Sequence, residues 1–306
     1  MSTGEAIAVG VIGLGSMGLG MARSIVNRAI RVRGYDVKPG AIAKLVEGGG
    51  AAAGSAADAA KDADILVVVV VNAAQTNSVL FEDKGAAAAM KRGGVIVACA
   101  TMAPDDARRL AAKAEAQGLC YLDAPISGGA AKAAAGQLTV MASGKPEAFQ
   151  RARPVLDAIA GTVYELGDAA GVGASFKMVN QLLAGVHIAA ACEAVTFAAR
   201  LGLDLPTVYK VITASAGNSW MFENRVPHIL NGDYSPSSAV AIFTKDLGIV
   251  SDMGRHEKFP LPIAATALQM FLMTAAAGME RDDDASVARM IAAVTGLELP
   301  VSRQAG

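Results

Sequence analysis

The sequence predicts a doubly wound α/β domain over residues 1–167, followed by an all-α domain over residues 168–306 that begins with a long helix. In the first half, short apolar runs of strand length alternate with helical segments. The second half shows only helical patterns. The length of 306 residues also favours two domains, because it is about twice the commonest domain size.

The composition is that of a compact protein with a large core. Hydrophobic residues make up 53% and charged residues 18%, and the formal net charge is −1. Because acids and bases are interspersed, we expect neither nucleic acid nor a membrane as a partner. The longest uninterrupted apolar runs, such as residues 65–71, are too short to span a bilayer, and the start of the chain has no basic region of a signal peptide. We therefore expect a cytoplasmic protein.

The three cysteines are far apart in the sequence and match no metal-ligand spacing; they are Cys99, Cys120 and Cys192. This distribution is more typical of reduced, buried thiols than of a disulfide framework or a zinc site. We predict no metal site.

A glycine-rich turn follows the first predicted strand. The apolar segment AIAVGVIG ends at Gly13, and GLGSMG then leads into a helical segment. Gly13 permits a tight turn, Gly15 lets the backbone approach a pyrophosphate, and Gly18 lets the helix pack closely on the strand. The pattern is typical of a Rossmann dinucleotide-binding domain, with phosphates at the start of the helix. The predicted phosphate-binding residues are Gly13, Leu14, Gly15, Ser16, Met17 and Gly18.

An acidic residue ends the second predicted strand. Asp36 lies eighteen residues beyond Gly18, where an acid hydrogen-bonds the ribose of NAD and repels the extra phosphate of NADP. We therefore predict NAD as the cofactor. Lys38 is a nearby cation that could accommodate a phosphate, so strict preference for NAD stays open. The structural alternative is a glycine turn with a capping Asp.

Two further apolar strands, over residues 63–72 and 93–101, extend the sheet. Cofactors of doubly wound sheets bind at the carboxyl ends of the strands, which predicts Val71, Asn72 and Thr101 as cofactor contacts. For Thr101 alone, an ordinary turn residue is an equally good interpretation.

The segment PISGG at residues 125–129 follows a strand that ends near Asp123. Ser127, Gly128 and Gly129 offer a hydroxyl and unobstructed N–H groups that could hold a carboxylate. From these residues alone a tight structural turn is the favoured interpretation. The segment GQLTVMASG that follows is predicted to be a strand that closes the sheet.

A lysine lies near the start of a long helical segment that is otherwise almost entirely small and apolar. Between residues 173 and 199, the only ionisable side chains besides Lys177 are His187 and Glu193. A buried ammonium group requires a partner, a bound anion or loss of its proton, and each of these suits an enzyme. We predict that Lys177 transfers a proton. A side chain that reaches solvent is the commoner role of a lone lysine.

Other polar residues accompany this lysine. Asn180 and Gln181 follow at i+3 and i+4, so all three share one helix face, which indicates a cleft. Lys245 and Asp246 form a second isolated charged pair in an apolar helix, for which a simple ion pair is the alternative. The run DDD at residues 282–284 is predicted to cap the last helix through Asp284.

Four segments, in order along the whole chain, resemble the signatures of the β-hydroxyacid dehydrogenase family: GVIGLGSMG, DAPISGG, FKMVNQLL and FTKDLG. This family includes 3-hydroxyisobutyrate dehydrogenases and tartronate semialdehyde reductases. The resemblance implies that Ser127, Gly128 and Gly129 anchor the substrate carboxylate, in place of a bare turn.

The resemblance also implies the remaining site roles. Lys177 would be the catalytic acid/base, and Asn180 would bind and orient the substrate. Lys245 would contact the nicotinamide end of the cofactor, with Thr101 beside the ring. The helical domain would build a homodimer or homotetramer.

Finer matches, such as VVNAAQTNSVLF and SAGNSWMFENRVPH, are similar to the L-threonate-oxidising members of the family. Val71 and Asn72 stand where many relatives have Leu-Pro, which disfavours the usual C3-hydroxyl substrates. We expect NAD-dependent oxidation of L-threonate to 2-dehydro-L-erythronate. The alternatives are 3-hydroxyisobutyrate or tartronate semialdehyde as substrate, or a non-catalytic dinucleotide-binding scaffold, against which the intact Lys177 argues.

Overall fold

The structure, a computed structural model, describes residues 7–82 and 85–302; the outermost residues of both predicted domains lie outside these ranges. Two compact units follow one another along the chain, Met1–Lys177 and Met178–Gly306.

A six-stranded parallel sheet forms the centre of the first unit, in the order β3-β2-β1-β4-β5-β6. Its strands are β1 Ala8–Ile12, β2 Arg31–Tyr35, β3 Ala51–Ala52, β4 Ile65–Val68, β5 Val95–Ala98 and β6 Cys120–Asp123. The strand order reverses at β1, which pairs with β2 on one side and β4 on the other. Ligands of doubly wound sheets bind at such a switch point, beyond the carboxyl ends of the strands.

Helices cover both faces of this sheet. They are α1 Gly18–Asn27, α2 Pro39–Glu47, α3 Ala56–Ala60, α4 Ala73–Phe81, α5 Pro104–Ala116, α6 Gly129–Ala134 and α7 Pro146–Ile159. Alternate residues of the strands enter two separate cores, so that Val67 and Val97 belong to one and Val68 and Ile96 to the other. Burial on both faces explains why these strands are continuous apolar runs rather than alternating patterns.

A second, three-stranded sheet contains β7 Ile126–Ser127, β8 Leu138–Ala142 and β9 Ala160–Glu165. The prediction that residues 136–144 close the main sheet was wrong in its pairing: β8 lies between β7, which is antiparallel to it, and β9, which is parallel. After β6 the chain forms the short strand β7, and β8 folds back against it: the Met141 N–H binds the Pro125 carbonyl, just before β7. This pairing takes the place of the predicted pairing with the main sheet. An isolated antiparallel bridge pairs Asp123 of β6 with Ser143.

The second unit is helical throughout its described secondary structure, apart from one isolated bridge. Helix α8, Val172–Arg200, begins in the first unit and continues into the second, and it is followed by α9 Leu205–Thr213, α10 Trp220–Asn231, α11 Val240–His256, α12 Pro262–Thr274 and α13 Val287–Thr295. The core of this unit includes Ile188, Val195, Phe243 and Phe271.

The acidic run before α13 caps a different element from the one expected. Asp283 accepts the N–H of Ala285 at 3.1 Å and caps the short 3₁₀ turn before α13. Asp284 instead forms an ion pair with Arg225 at 2.6 Å, so the prediction that it is the cap was wrong. Either carboxylate could cap the helix on local sequence grounds. Asp283 is the cap because Asp284 is bound to Arg225 of α10.

Two segments have the length and hydropathy of membrane spans, Val172–Arg200 and Pro262–Met279, which the expectation from uninterrupted runs had not considered. Half of the most apolar window of the first segment and 28% of that of the second are buried in the structure. Core helices of water-soluble proteins meet the same criterion, so two such segments are weak evidence for a membrane protein.

Candidate active site

The glycine turn after β1 combines tight packing with one open position. Gly13 has φ +90°, and a Cβ atom there would lie 2.3 Å from the Val69 carbonyl oxygen. A Cβ atom at Gly18 would lie 1.9 Å from the Gly13 carbonyl oxygen. At Gly15, in contrast, no heavy atom lies within 4 Å of the Cβ position. Packing therefore requires Gly13 and Gly18, whereas Gly15 leaves space that fits the pyrophosphate of a dinucleotide.

Asp36 is bound directly to this turn. Its Oδ2 accepts the N–H of Leu14 at 2.7 Å, and its Oδ1 accepts the N–H of Lys38 at 2.8 Å. A carboxylate has about four acceptor sites, so both oxygens keep capacity for ribose hydroxyls. Helix α1, which starts at Gly18, has no side-chain cap and no acidic residue in its first turn. The residues present thus fit a dinucleotide with its phosphates at the start of α1.

Three further predicted cofactor contacts, Val71, Asn72 and Thr101, lie just beyond the carboxyl ends of β4 and β5. Val71 is 45% exposed and donates its N–H to Gln75 Oε1 at 3.0 Å. Asn72 is the N-cap of α4, where its Oδ1 accepts the Gln75 N–H at 2.8 Å. Thr101 follows β5 by three residues and is half-buried. Asn72 therefore stabilises the start of α4, whether or not it also contacts a cofactor.

The Ser127–Gly129 loop joins β7 to α6. Gly128 and Gly129 have φ of +134° and +77°, conformations that favour glycine. Ser127 is half-buried at the end of β7, and no heavy atom lies within 4 Å of a Cβ position at Gly129. Consecutive amides in such a turn can form a concave anion site.

Helices α1 and α6 hold the glycine turn and the Ser127–Gly129 loop in a fixed relation. A Cβ atom at Gly20 would lie 2.7 Å from the Ala134 nitrogen, so the two helices are in close contact. Ser24 also donates from its hydroxyl to the Ala133 carbonyl at 3.0 Å. The loop predicted for phosphates and the loop predicted for a carboxylate are thus mounted on one packed helix pair.

Lys177 lies in the first two turns of α8 and is 6% exposed. The start of this helix is held by Asp123, whose Oδ2 accepts the N–H groups of Gly171 at 2.9 Å and Ala174 at 2.8 Å. The Ser143 hydroxyl accepts the Gly173 N–H at 2.9 Å. Burial raises the pKa of Asp123, although these hydrogen bonds act in the opposite direction. The sequence predicted no role for Asp123, although it is an acid at the end of an apolar strand and the first residue of the DAPISGG segment.

In the second unit, a chain of side chains joins Asn180 to Lys245. Asn180 donates to Gln181 Oε1 at 3.0 Å, and Gln181 donates to Asp246 Oδ2 at 2.5 Å. Lys245 forms an ion pair with the other oxygen of Asp246, which is fully buried. The sequence singled out Asn180 and Lys245, but Gln181 and Asp246, which connect them, were seen only as neighbours.

Comparison with known families covers nearly the whole chain. Residues 8–167 match the NAD-binding domain of 6-phosphogluconate dehydrogenase. Residues 171–291 match the NAD-binding domain described for NADP-dependent 3-hydroxyisobutyrate dehydrogenase. The chain belongs to the β-hydroxyacid dehydrogenase family. This β-hydroxyacid dehydrogenase therefore carries an NAD(P)-binding domain, and the fold predicted from its sequence is confirmed.

Individual relatives of this β-hydroxyacid dehydrogenase match over almost their full lengths. An L-threonate dehydrogenase from Cupriavidus necator is 52% identical over 292 residues, which cover 95% of this chain and 97% of the relative. A 3-hydroxyisobutyrate dehydrogenase from Pseudomonas aeruginosa is 31% identical and covers 90% and 94%. A crystal structure of 3-hydroxyisobutyrate dehydrogenase from Salmonella typhimurium is 50% identical, with a TM-score of 0.89 and coverage of 93% and 99%.

Within residues 7–82 and 85–302, no group of three or more His, Cys, Asp or Glu side chains is arranged to hold a metal ion. Two cysteines, Cys99 and Cys192, are fully buried, and burial raises the pKa of the Cys99 thiol to about 12. A thiol with such a pKa is protonated at neutral pH and is a poor nucleophile or ligand.

Proposed function

We propose that this enzyme oxidises L-threonate at C2 to 2-dehydro-L-erythronate with NAD. The observation that carries the proposal is the buried Lys177 on α8, in a chain 52% identical over 292 residues to an L-threonate dehydrogenase. An ammonium or amine excluded from water can exchange a proton with a substrate hydroxyl, and it is positioned before the substrate arrives.

The proposed roles follow the chemistry of each group. Bound NAD would accept a hydride, which is the step that side chains cannot supply. Lys177 would take the hydroxyl proton from the carbon that loses this hydride. Asn180 would hydrogen-bond a substrate hydroxyl, and Lys245 would contact the nicotinamide end of the cofactor. The Ser127 hydroxyl and the amides of Gly128 and Gly129 would hold the carboxylate.

The preference for NAD over NADP is assigned to Asp36. Its carboxylate has two oxygens that already accept backbone N–H groups and can also accept the two ribose hydroxyls. A phosphate on the ribose would meet the like charge of this carboxylate. Lys38 follows two residues later and is exposed, so it offsets part of that repulsion. Thr101 and the Val71–Asn72 segment would border the nicotinamide, at the ends of β4 and β5.

3-Hydroxyisobutyrate is the second candidate substrate. It is favoured by the Salmonella typhimurium structure, which is 50% identical to this chain and bears the name of that dehydrogenase. Relatives of about equal similarity thus carry two different substrate names. The substrates differ in the position of the oxidised hydroxyl and in polarity, so a direct assay separates them.

We also propose a cytoplasmic homodimer or homotetramer. Helix α8 and the residue after it expose a row of apolar side chains that a second copy would cover: Val179 is 63% exposed, Leu183 49%, Phe197 62% and Leu201 58%. The last two also line an apolar groove of about 530 Å³. Exposed apolar surface of this extent is typical of a subunit interface. Light scattering after gel filtration would measure the mass, and a monomer at micromolar concentration would contradict the proposal.

The substrate is tested by following NADH or NADPH absorbance with a panel of acids. The panel contains L-threonate, D-threonate, L-erythronate, 3-hydroxyisobutyrate and tartronate semialdehyde, the last in the reducing direction. We expect the highest kcat/KM with L-threonate and NAD. A higher value with 3-hydroxyisobutyrate would replace the first candidate by the second, and no turnover of any acid would favour the dinucleotide-binding scaffold.

The role of Lys177 is tested by Lys177→Ala. We expect turnover to fall at least ~100-fold while NADH still binds, as measured by fluorescence, because an acid/base group acts on the chemical step. Lys210→Ala, which removes an exposed lysine of α9, is the matched control. Near-normal turnover in Lys177→Ala would contradict the proposed acid/base role.

A further inference from the structure

We propose that Asp123 is a positioning residue for Lys177: it fixes the first turn of α8 against the strand end that leads into the Ser127–Gly129 loop. The proposal rests on the proposed function, because it takes Lys177 as the acid/base group. It adds a residue whose action on the reaction passes entirely through the position of that lysine.

Helix α8 begins with N–H groups that are bound by a residue distant in the sequence. The first N–H groups of a helix have no partner within the helix, and a local Ser, Thr, Asp or Asn usually supplies one. Here one oxygen of Asp123 accepts the N–H of Gly171 at 2.9 Å and that of Ala174 at 2.8 Å. The acid that caps the helix therefore comes from β6, 48 and 51 residues earlier in the chain.

The start of α8 is also closely packed against the ends of β6 and β8. A Cβ atom at Gly173 would lie 2.4 Å from the Met141 carbonyl oxygen and 2.7 Å from that of Asp123. The Gly173 N–H is also bound by the Ser143 hydroxyl at 2.9 Å. The helix start thus cannot slide or rotate without losing these hydrogen bonds or colliding with backbone. Lys177 follows Gly173 by four residues, about one helical turn, so it inherits this fixed position.

Backbone hydrogen bonds connect Asp123 to the segment that leads into the predicted carboxylate site. Asp123 and Ser143 exchange two backbone hydrogen bonds, of 3.0 and 2.8 Å. Met141 donates its N–H to the Pro125 carbonyl at 2.9 Å. Pro125 directly precedes β7, which ends at Ser127. One short backbone segment therefore carries both the clamp on α8 and the loop proposed to hold the substrate carboxylate. This arrangement would set the distance between the lysine and the substrate.

The carboxylate is retained at an energetic cost. Asp123 is 2% exposed, and burial raises its pKa, which means that its charged form is disfavoured by desolvation. The hydrogen bonds from Ala174, Gly171 and Ser143 and the charge of Arg108 on α5 partly offset this cost. A neutral residue could fill the same volume without this cost. The positioning role explains the carboxylate, because its oxygen binds both the Gly171 and the Ala174 N–H group.

The test compares Asp123→Asn with wild type in steady-state oxidation of the best substrate of the panel. The amide keeps the shape but removes the charge and weakens the double acceptor. Because a misplacement of about 1 Å can cost ~100-fold, we expect kcat to fall by roughly 10- to 100-fold. The KM for NAD and the dissociation constant of NADH should not change, since the glycine turn and Asp36 are not touched.

The decisive measurement is a double-mutant cycle with Lys177→Ala. If Asp123 acts through Lys177, adding Asp123→Asn to Lys177→Ala should produce no further loss of kcat. Additive losses, a fall in NADH affinity that parallels kcat, or an unchanged kcat in Asp123→Asn would each overturn the proposal. Should Asp123→Asn fail to fold, Ser143→Ala decides by the same criteria, because it removes the Gly173 contact without removing a charge.

Asp64→Asn is the matched control. Asp64 also accepts a backbone N–H, that of Ala8 at 2.9 Å, but it directly precedes β4 and pairs with Lys91, at the amino ends of the strands. We expect this variant to lose some stability and keep its kcat. If Lys177→Ala itself kept near-normal turnover, the proposed function would fail. If Lys177→Ala lost turnover and Asp123→Asn did not, only the positioning role would fail.

Discussion

In the first unit, the polar groups of the candidate site are mostly backbone amides, whereas in the second unit they are side chains. The glycine turn, the Ser127–Gly129 loop and the start of α8 all place N–H groups in defined positions, and each region contains a glycine with positive φ. The second unit instead pairs buried carboxylates with basic side chains, Asp284 with Arg225 and Asp246 with Lys245. The two units therefore depend on different kinds of residue.

The difference follows from secondary structure. Parallel strands end at one edge of the sheet, and the turns that follow them leave N–H groups without partners. Within a helix the backbone groups are already paired, so an all-α unit can present polar chemistry only through side chains or helix ends. Substitutions of glycine should therefore affect the first unit most, and substitutions of buried ion pairs the second.

The largest expected effect is in the second unit. Arg225→Met should lower the free energy of unfolding by about 3–5 kcal/mol, because it leaves the buried Asp284 without its ion-pair partner. Urea unfolding followed by circular dichroism measures the loss. Replacing the exposed Arg255, which pairs with Asp252, by Met should cost less than about 1 kcal/mol. Equal losses in the two variants would contradict the distinction between buried and surface pairs.

Two glycines of one turn should separate stability from binding in the first unit. Gly18→Ala should destabilise the protein by about 1–3 kcal/mol, since its Cβ would lie 1.9 Å from the Gly13 carbonyl oxygen. Gly15→Ala should leave the unfolding temperature nearly unchanged but weaken NADH binding at least ~10-fold, because the methyl group would enter the phosphate space. Thermal unfolding and NADH fluorescence measure both. Unimpaired NADH binding in Gly15→Ala would place the pyrophosphate elsewhere.

A smaller effect is expected for cofactor choice. Asp36→Ser should raise kcat/KM with NADP relative to NAD by roughly 10-fold, because a like charge worth about 1–2 kcal/mol beside the ribose is removed. Adding Lys38→Ala should remove part of this gain, since the remaining cation would attract the phosphate. An unchanged ratio in Asp36→Ser would show that another residue sets the preference.

The smallest effect concerns pH. The hydrogen bond of His228 to Asp283, at 3.1 Å, and the charge of that carboxylate raise the pKa of His228. The resulting stabilisation is fully present below the unfolded value of about 6.5 and is lost as pH rises through the folded pKa. Stability should therefore decline more steeply as pH rises above about 6.5 in wild type than in His228→Gln. Parallel profiles would exclude this contribution.

The neighbouring Asp284 titrates in a lower range and does not obscure that comparison. Burial raises its pKa to about 6, against the attraction of Arg225. A raised carboxyl pKa makes stability fall as pH rises from about 4 through about 6, and this change is shared by wild type and His228→Gln. Asp283 behaves oppositely: burial raises its pKa, but the bonds from His228 and Ala285 and the nearby charges outweigh burial and lower it.

Local patterns allowed much of the first unit to be predicted. The glycine turn at residues 13–18 and Asp36 were found from spacing, because their geometry is set within a short stretch of chain. The buried strands followed from their apolar runs. The pairing of β8 was predicted wrongly, since a strand pattern does not specify its neighbour. The cap formed by Asp283 was missed for a related reason: three consecutive acids offered equivalent local choices.

By itself, the sequence determined where strands, turns and the apolar helix α8 form, because sterics and hydrophobic periodicity act over a few residues. Only the tertiary structure decided which polar groups meet. Asp123 reaches Ala174 across 51 residues, Arg225 reaches Asp284 across 59, and Gln181 reaches Asp246 across 65. A carboxylate that binds a distant amide leaves no spacing to recognise, since every residue except proline carries the same N–H group.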